Sequence, residues 1–489
     1  METAKRPTAH RIPAHKRTTG AASGRPHTRF VRGAKQNARA RRSLGGACSA
    51  AVTAAQEPTS SSGRSSGGPI PDYSSIAIDA SRSFDVSSPL KCEICSPKLT
   101  ADSAYALSLP DDTTVPAELA KEVFGYDRGL HKNYNMGDVI GRGSFGVVRA
   151  AASFEDPLDE CLAVKSVPKL VSPDGPMSRR WTGALDGTTA LPGAMASNAH
   201  ATSAKVLRKI SNEVNILSRL RHCKDVVTLH GAYEDDKKVH LVQDRVRGPS
   251  LETVLAELRR ANLVDDDGAA RRRLQRGLPL PAVSAILASV LRVLSTCHRQ
   301  GIVFRDVTPN NFLFTDDEVL DVVHGISGQD PATHSGAHIE LRCVDCGLAV
   351  NFLPDCTPEL DALSGTPIFM APEVILRRYG YASDLWSAGI FLFAMVEGGR
   401  YPFWGGRKPV GEQWSMKNIW FETILAEVEY DEDVWRDDAS LTVGDADGEL
   451  TYAMARDLCE KLLRRDPRKR ITARQALKHP FLRRQSEKV

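Results

Sequence analysis

A carboxylate and an amide lie five positions apart in the stretch GIVFRDVTPNNFLF, residues 301–314. They are Asp306 and Asn311, and apolar residues flank the pair on both sides. Apolar flanks anchor a polar loop in a core, so both side chains are expected to have rigid support. A carboxylate that orients a hydroxyl, next to an amide that holds a metal ion bearing phosphates, suits the transfer of a phosphoryl group.

Three glycines earlier in the chain are candidates for binding phosphates. Gly141, Gly143 and Gly146 have G-x-G-x-x-G spacing and lie between two apolar, strand-like runs. Dinucleotide-binding folds use similar glycines between a strand and a helix, whereas strands on both sides favour a hairpin that covers phosphates. The next apolar strand ends at Lys165, and a charge on a buried strand is costly unless it is paired.

Helices with apolar faces are predicted to position these residues. Apolar residues recur at helical spacing over 204–220, and Glu213 adjoins that apolar face. A second apolar face runs through a helix around 283–294, which is expected to support the loop that carries Asp306. A third, almost wholly apolar helix is predicted in YASDLWSAGIFLFAMVEGG, where Asp384 suits the capping of that loop's backbone.

Taken in their order along the chain, these motifs resemble those of the eukaryotic protein kinases. The stretch around Asp306 is similar to their catalytic loop, H-R-D-L-K-P-x-N, with Phe304 in place of the histidine and Thr308 in place of the lysine. Asp345 begins D-C-G where these enzymes have D-F-G, and A-P-E closes the activation segment at Glu373. Arg470 is the partner that the resemblance implies for Glu373.

The resemblance covers about residues 134–482. It looks closest to the calcium/calmodulin-dependent group, in particular the plant calcium-dependent kinases, through GTPIFMAPE, YPFWG and HPFL. Only seven residues follow Leu482, so we expect the chain to lack the EF-hand module of those kinases. The implied fold class is α+β: a bilobal protein kinase fold, with a small β-rich N-lobe and a larger α-helical C-lobe, after a disordered N-terminal region.

The resemblance also implies catalytic roles. Asp306 is expected to orient a serine or threonine hydroxyl of a protein substrate and to take its proton. Lys165, in an ion pair with Glu213, is expected to position the phosphates of ATP. Asn311 and Asp345 are expected to hold Mg²⁺.

The remaining site residues are expected to bind ATP. Gln243 is the implied gatekeeper at the back of the adenine pocket, and Asp244 to Val246 are the implied hinge. The full set expected to line the ATP site is Ile140, Gly141, Arg142, Gly143, Ser144, Phe145, Gly146, Val148, Ala163, Lys165, Gln243, Asp244, Val246, Ser250 and Leu313.

The departures from the kinase pattern motivate an alternative. Thr308 is shorter than lysine and can offer one hydroxyl to Asp306 or to the substrate. Phe304, Thr308 and Cys346 all lie near the implied active centre, so a pseudokinase that acts as a nucleotide-binding scaffold is the alternative to a serine/threonine kinase. Because every residue that would handle metal or proton is present, catalysis is the preferred prediction.

The N-terminal arm is the basic part of the chain. Residues 1–56 contain twelve Lys/Arg and one acid, a net charge of +11, so the remainder carries −7 of the total of +4. This composition is typical of a plastid or mitochondrial transit peptide or of a disordered basic tail. The protein would act in the organelle in the first case, and in the cytoplasm or nucleus in the second.

The composition of the chain limits which partners and segments are expected. The content is 42% apolar and 25% charged, and the longest apolar run is too short to cross a bilayer. We expect protein and ATP partners, no nucleic acid and no transmembrane segment, and leave the oligomeric state open. The expected segments other than the kinase domain are a linker at 57–130 with one short helix at 115–130, insertions near 171–200, 259–277 and 316–337, and a tail at 483–489.

Two C-x-x-C pairs are also present. Cys92 and Cys95 lie in the linker, and four ligands would be needed for a structural zinc site, so two ordinary thiols are expected there. Cys343 and Cys346 flank Asp345, and their spacing is expected to be a coincidence of a strand thiol with an altered D-F-G, with a redox switch as the alternative.

Overall fold

Seven of the eleven strands in the described residues lie before residue 245, and the chain after them is mainly helical. The computed structural model describes residues 101–111, 113–143, 146–155, 161–170, 201–264, 277–316, 339–354, 359–403, 416–436 and 450–482, without the side chains of 101–104, 201, 261–264 and 416–417. The strands are β1 Thr114–Pro116, β2 Tyr134–Arg142, β3 Val147–Ser153, β4 Leu162–Pro168, β5 Ala201–Ser203, β6 Leu229–Glu234, β7 Lys238–Asp244, β8 Ile302–Val303, β9 Phe312–Phe314, β10 Leu341–Cys343 and β11 Val350–Asn351. The helices are α1 Ala101–Ser108, α2 Ala117–Ala120, α3 Leu130–Asn133, α4 Ala204–Leu220, α5 Leu251–Val264, α6 Leu280–Arg299, α7 Pro372–Ile375, α8 Ala382–Val396, α9 Met416–Leu425, α10 Tyr452–Leu462 and α11 Ala473–Ala476.

The small lobe is built on a five-stranded antiparallel sheet with the order β2-β3-β4-β7-β6. Strands β2 and β3 form the predicted glycine hairpin, in which Gly141 pairs with Val148. Val148 in turn pairs with Lys165 on β4, and Ala163 pairs with Gln243 on β7. The sheet therefore brings five residues of the expected ATP site into adjacent register.

The predicted helix over 204–220 is confirmed as α4. Its apolar side chains are buried with the sheet, as the 3.6-residue period requires. Ser203 caps the helix, because its side-chain oxygen accepts a hydrogen bond from the amide of Val206. The element positions Glu213, which is 3% exposed, within the core.

The expectation for residues 115–130 is wrong. Instead of one helix, the structure has strand β1, the single-turn helix α2 and a turn in which Gly125 adopts a φ of 62°. Pro116 restricts Val115 to extended backbone, and this favours a strand there. The last part of the expected linker is also not a linker, since Val115, Phe124 and other residues of this segment are at most 1% exposed.

Two long buried helices organise the large lobe. α6 confirms the helix predicted around 283–294, and α8 confirms the helix predicted in the YASDLW stretch. They pack against each other, and α10 packs on α8. Among the described residues, α6 alone is long and apolar enough to cross a membrane, but most of it is buried inside this lobe, as a core helix would be.

The expected insertions fall largely outside the described residues. This applies to 171–200, to 317–337 and to most of 259–277. The boundary at 259 is wrong, because α5 continues to Val264, and Gly277 already packs on the backbone of α8 through a hydrogen bond to Val396 O. Residues 1–100, with the basic arm and the Cys92 pair, and the tail 483–489 also lie outside the described residues.

Candidate active site

The loop that carries Asp306 is fixed by a buried carboxylate from α8. Asp384 accepts hydrogen bonds from the backbone amides of Phe304 and Arg305, both at 2.9 Å, and its Oδ2 lies 2.8 Å from His298 Nε2. Arg305 has a φ of 66°, which is an uncommon conformation for a residue with a side chain. The Asp384 bonds hold this turn in place, and the predicted role of Asp384 in capping the loop is confirmed.

Asp306 is held by one side-chain donor on each carboxylate oxygen. Asn311 Nδ2 donates to Oδ2 at 3.0 Å and to the Asp306 carbonyl at 2.8 Å, while Thr366 Oγ1 donates to Oδ1 at 3.0 Å. Burial raises the pKa of Asp306, and the two hydrogen bonds oppose that rise. The carboxylate is thus oriented and basic, as a proton acceptor in phosphoryl transfer must be.

Gly365 lets the activation segment approach the catalytic loop. Its φ is 109°, and a Cβ at this position would lie 2.5 Å from the carbonyl oxygen of Arg305. A side chain here would displace the neighbouring Thr366 from Asp306. The role of Thr366 as a donor to Asp306 is one that sequence reasoning missed, although GTPIFMAPE was the signal for it.

The predicted ion pair between Lys165 and Glu213 is confirmed and extends to a third residue. Lys165 Nζ lies 2.6 Å from Glu213 Oε1 and 3.0 Å from Asp345 Oδ1. Burial alone would lower the pKa of Lys165, but the two carboxylates outweigh it and raise the pKa. Asp345 Oδ1 also accepts a hydrogen bond from the Gly347 amide at 2.8 Å. The lysine is therefore a buried, fixed cation.

Residues expected to bind adenine lie on β9 and at the end of β7. Leu313 on β9 forms a bridge with Ser250, which lies just after the hinge. Gln243 is 6% exposed, and its buried Nε2 has no hydrogen-bond partner among the described residues. A buried amide without a partner costs free energy, so a bound ligand that accepts its hydrogen bond would stabilise this position.

Backbone and side-chain hydrogen bonds hold the expected hinge in place. The amide of Arg245 donates to Cys161 O at 2.7 Å, joining the hinge to β4. Burial would raise the pKa of Asp244, but hydrogen bonds from His230 and Thr228 lower it to about 2. The Asp244 side chain is thus engaged with neighbouring residues, and its amide donates to Thr228 O at 3.1 Å. Ser250 Oγ accepts from the Thr253 amide at 3.1 Å and caps α5.

The glycine hairpin is placed as predicted as far as it is described. The Gly143 amide donates to Gly146 O at 2.9 Å and closes the turn, whose tip residues Ser144 and Phe145 lie outside the described residues. Gly146 cannot be replaced, since a Cβ would lie 2.3 Å from Ser166 O. Two more hairpin residues, Ile140 and Arg142, lie on β2 before the turn and are exposed.

The three unusual residues of the site are all buried. Phe304 and Cys346 are each 1% exposed and belong to the same apolar cluster, and the Phe304 ring lies 6.4 Å from that of Phe312. Thr308 is 3% exposed, and its carbonyl accepts the Asn311 amide at 3.0 Å. These residues therefore support the loop, and the contacts of Asp306 form in their presence.

The protein ligands for a magnesium ion are few but chemically suitable. Asn311 uses its Nδ2 to hold Asp306, so its side-chain oxygen is the atom suited to a cation, and Asp345 contributes a carboxylate. Among the described residues, no group of three or more His, Cys, Asp or Glu side chains could hold a metal. A hard cation here would need phosphate oxygens as further ligands, which fits Mg²⁺ bound together with ATP.

A buried ion pair anchors the end of the activation segment. Arg470 Nη2 lies 3.0 Å from Glu373 Oε2. Its Nη1 donates to the other carboxylate oxygen of Glu373 and also to Ala382 O, at 2.7 Å. The predicted pairing of Arg470 with Glu373 is confirmed. It fastens the A-P-E end of the segment to the large lobe.

Comparisons with known proteins agree with this geometry. Residues 194–482 match the family described as protein kinase domain. Similar proteins include CDPK-related kinase 5 of Arabidopsis thaliana, 28% identical over 73% of this chain and 45% of that protein. Calcium-dependent protein kinase 14 of Arabidopsis thaliana is 27% identical over 74% of this chain and 51% of that protein. A calcium/calmodulin-dependent serine/threonine-protein kinase of Oryza sativa subsp. japonica is also 27% identical, over 74% and 46%. The chain spans about half the length of the curated relatives it matches.

Proposed function

Because this chain belongs to the protein kinase domain family, we propose that it transfers the γ-phosphoryl group of ATP, bound with Mg²⁺, to serine or threonine hydroxyls of proteins. The observation that carries the proposal is the hydrogen-bonded carboxylate of Asp306, held by Asn311 and Thr366. The assembled cluster of Lys165, Glu213 and Asp345 supports it independently.

Each residue of the site has its own role in the proposed reaction. Asp306 orients the substrate hydroxyl and accepts its proton, since its carboxylate is fixed on both oxygens. Lys165 holds phosphate oxygens of ATP, and Asn311 and Asp345 hold the metal ion. Magnesium, when bound, neutralises charge that develops on the phosphates. Positioning and electrostatics supply most of the rate in this chemistry, and neither needs a covalent intermediate on the protein.

The preference for serine and threonine rests on Thr366. Its hydroxyl contacts Asp306 at 3.0 Å, within the stretch GTPIFMAPE. One of the relatives has serine/threonine-protein kinase in its name. We therefore propose hydroxyls of serine and threonine as acceptors, rather than the phenol of tyrosine.

Catalysis is preferred to the pseudokinase alternative for a geometric reason. Phe304, Thr308 and Cys346, the residues that motivated a scaffold, are buried beside the site. They leave intact the contacts of Asp306 and Lys165, the residues that handle proton and phosphate. A site whose charged groups were no longer needed would not be expected to keep a buried cation paired with two carboxylates, because burying such charges is costly.

The test uses the full chain with radiolabelled ATP, Mg²⁺ and a mixture of generic basic proteins. We expect label on phosphoserine and phosphothreonine after acid hydrolysis, and no label with Asp345→Asn. Arg221→Ala, on the exposed surface after α4, is the matched control and should keep the activity. Label on phosphotyrosine alone would contradict the acceptor class.

Two proposals are kept for the compartment. Either residues 1–56 direct the chain to a plastid or mitochondrion, or they form a basic tail of a cytoplasmic or nuclear kinase. The charge of +11 over this arm supports both. Residues 1–60 fused to a fluorescent protein distinguish them, since a transit peptide carries the fusion into the organelle and is cleaved.

A further inference from the structure

A segment before the glycine hairpin packs against α4 and the sheet of the small lobe. We call residues 101–111 and 113–130 the N-terminal strap; they include α1, β1 and α2. The side chains of Ala106, Val115, Ala120, Val123 and Phe124 are at most 1% exposed and belong to the same apolar cluster as the buried face of α4. The strap is therefore part of the folded core.

The strap supplies backbone acceptors to the start of α4. The first amides of a helix have no partner within the helix. Here the amide of Ala204 donates to Thr113 O at 3.0 Å, and the amide of Lys205 donates to Asp111 O at 3.3 Å. Strand β1 also pairs with β5, which runs directly into α4, with Val115 opposite Thr202. The N-terminal end of α4 is thus set by the strap.

Arg208 adds a side-chain bond from α4 to the strap. Its Nη1 donates to Leu107 O at 3.2 Å and also to Leu109 O, and its Nη2 pairs with the Asp111 carboxylate. One guanidinium group therefore joins three strap residues. Arg208 lies five residues before Glu213 on the same helix.

The other end of the strap is fastened to the sheet. Lys169, fully buried at the end of β4, donates to Lys121 O and pairs with Glu234 Oε2 at 3.0 Å. Glu234 Oε1 accepts the amide of Tyr126 at 3.0 Å. The strap consequently joins two elements that must keep a fixed distance, since β4 carries Lys165 and α4 carries Glu213.

The middle and the C-terminal end of α4 are held by a different part of the molecule. Asn212 Nδ2 donates to Ala349 O at 2.6 Å, and Arg219 bonds to Gln300 O and, at 2.5 Å, to Asn351 Oδ1. These contacts tie α4 to the C-terminal end of α6 and to the segment after Asp345. The strap contacts described above hold α4 from the side of its N-terminus.

We propose that the N-terminal strap, acting through Arg208, holds α4 in the position where Glu213 meets Lys165, so that Arg208 is a positioning residue for phosphoryl transfer. The proposal rests on the proposed function. Without the guanidinium group, α4 can rotate or shift at its N-terminal end, and Glu213 is then absent from Lys165 in part of the molecules. A hydrogen bond to a charged group is worth about ten-fold or more in an equilibrium. We therefore expect kcat to fall about ten-fold in Arg208→Ala.

The test is a double-mutant cycle in the full chain, with kcat per folded molecule as the readout. Arg208→Ala is measured alone and in a Glu213→Gln background, where the ion pair is already lost. If Arg208 acts through Glu213, the second background should show no further loss. Equal losses in both backgrounds, or a kcat within two-fold of wild type for Arg208→Ala, would overturn the proposal.

A second variant and a second readout cover the remaining outcomes. Asp111→Asn removes the negative charge that pairs with Arg208, and it changes a mostly exposed side chain. It should also lower kcat, and it serves as the test if Arg208→Ala fails to fold. Hydrogen exchange over α4 should accelerate in both variants but not in Arg221→Ala. If the wild-type chain transfers no phosphate, the proposed function fails. Independently of that result, a rate of hydrogen exchange over α4 that is unchanged in Arg208→Ala and Asp111→Asn would refute the role of the strap.

Discussion

Thr366→Val removes one of the two side-chain donors to the catalytic carboxylate while keeping the volume of the side chain. In the structure Thr366 Oγ1 donates to Asp306 Oδ1 at 3.0 Å, and Asn311 alone would then remain on the other oxygen. Burial already raises the pKa of Asp306 above its ordinary value, and both donors oppose this rise because they stabilise the ionised form. Losing either donor therefore raises the pKa further.

The magnitude follows from the charge on the acceptor. A hydrogen bond to a charged group contributes about 1.5–3 kcal/mol, and one pH unit corresponds to about 1.4 kcal/mol. The acid limb of the activity profile, where Asp306 must lose its proton to act as a base, should therefore move to higher pH by about one to two units. The variant should be most impaired at the acid end of the profile and should recover as the pH rises.

The assay is kcat for a peptide substrate at saturating ATP and Mg²⁺, measured between pH 5.5 and 9. Thr366→Ser keeps the hydroxyl and is the matched control, so its acid limb should coincide with that of wild type. A Thr366→Val profile that is lowered by the same factor at every pH would refute the reasoning, because it would show that the hydroxyl does not act through the ionisation of Asp306.

Three further outcomes are expected. Thr308→Lys should raise kcat up to about 10²-fold with little change in the KM for ATP, since the added donor acts mainly in the transition state; an unchanged kcat contradicts this. Burial, with Lys205 and Arg305 nearby, lowers the pKa of Lys209 to about 8, so the folded state releases that proton before the unfolded chain does. Lys209→Met should therefore be more stable to urea at pH 7, by up to about 3 kcal/mol, and the difference should shrink by pH 10. Finally, Asn310 and Ser250 stand where Arg-directed kinases have acids, so a peptide array should show only a weak preference for arginine three residues before the target, and strong selection there would refute it.

The catalytic groups were predictable because local sequence determines them. Asp306, Asn311 and Lys165 have distinctive spacing within apolar strands and loops, and the apolar period of α4 indicated which face Glu213 adjoins. Each of these signals needs only a short window of residues. The resemblance then assigned partners across the chain, and the Lys165–Glu213 bond bears it out.

The strap could not be predicted in this way. Its strand β1 pairs with β5, which lies about 90 residues further along the chain, beyond an expected insertion. The Lys169–Glu234 pair joins β4 to β6 through residues that read as ordinary surface charges. Polar composition before residue 130 indicated a linker, whereas a few apolar residues, Val115 and Phe124 among them, suffice to bury the segment. Long-range pairing of this kind leaves little local signal.

Asp306 is the residue on which the proposed reaction depends most, because it acts as the base. The direct test compares Asp306→Asn with wild type in two measurements on the same full-length preparation: binding of ATP in the presence of Mg²⁺ by calorimetry, and phosphate transfer to protein. Asparagine keeps the shape of the side chain but cannot accept the proton. We expect ATP affinity within about three-fold of wild type and transfer lowered by about 10²–10⁴-fold, the usual contribution of a general base. Transfer by Asp306→Asn at the wild-type rate would show that Asp306 is not the base. A wild-type chain that binds ATP and transfers no phosphate would refute the proposed kinase activity.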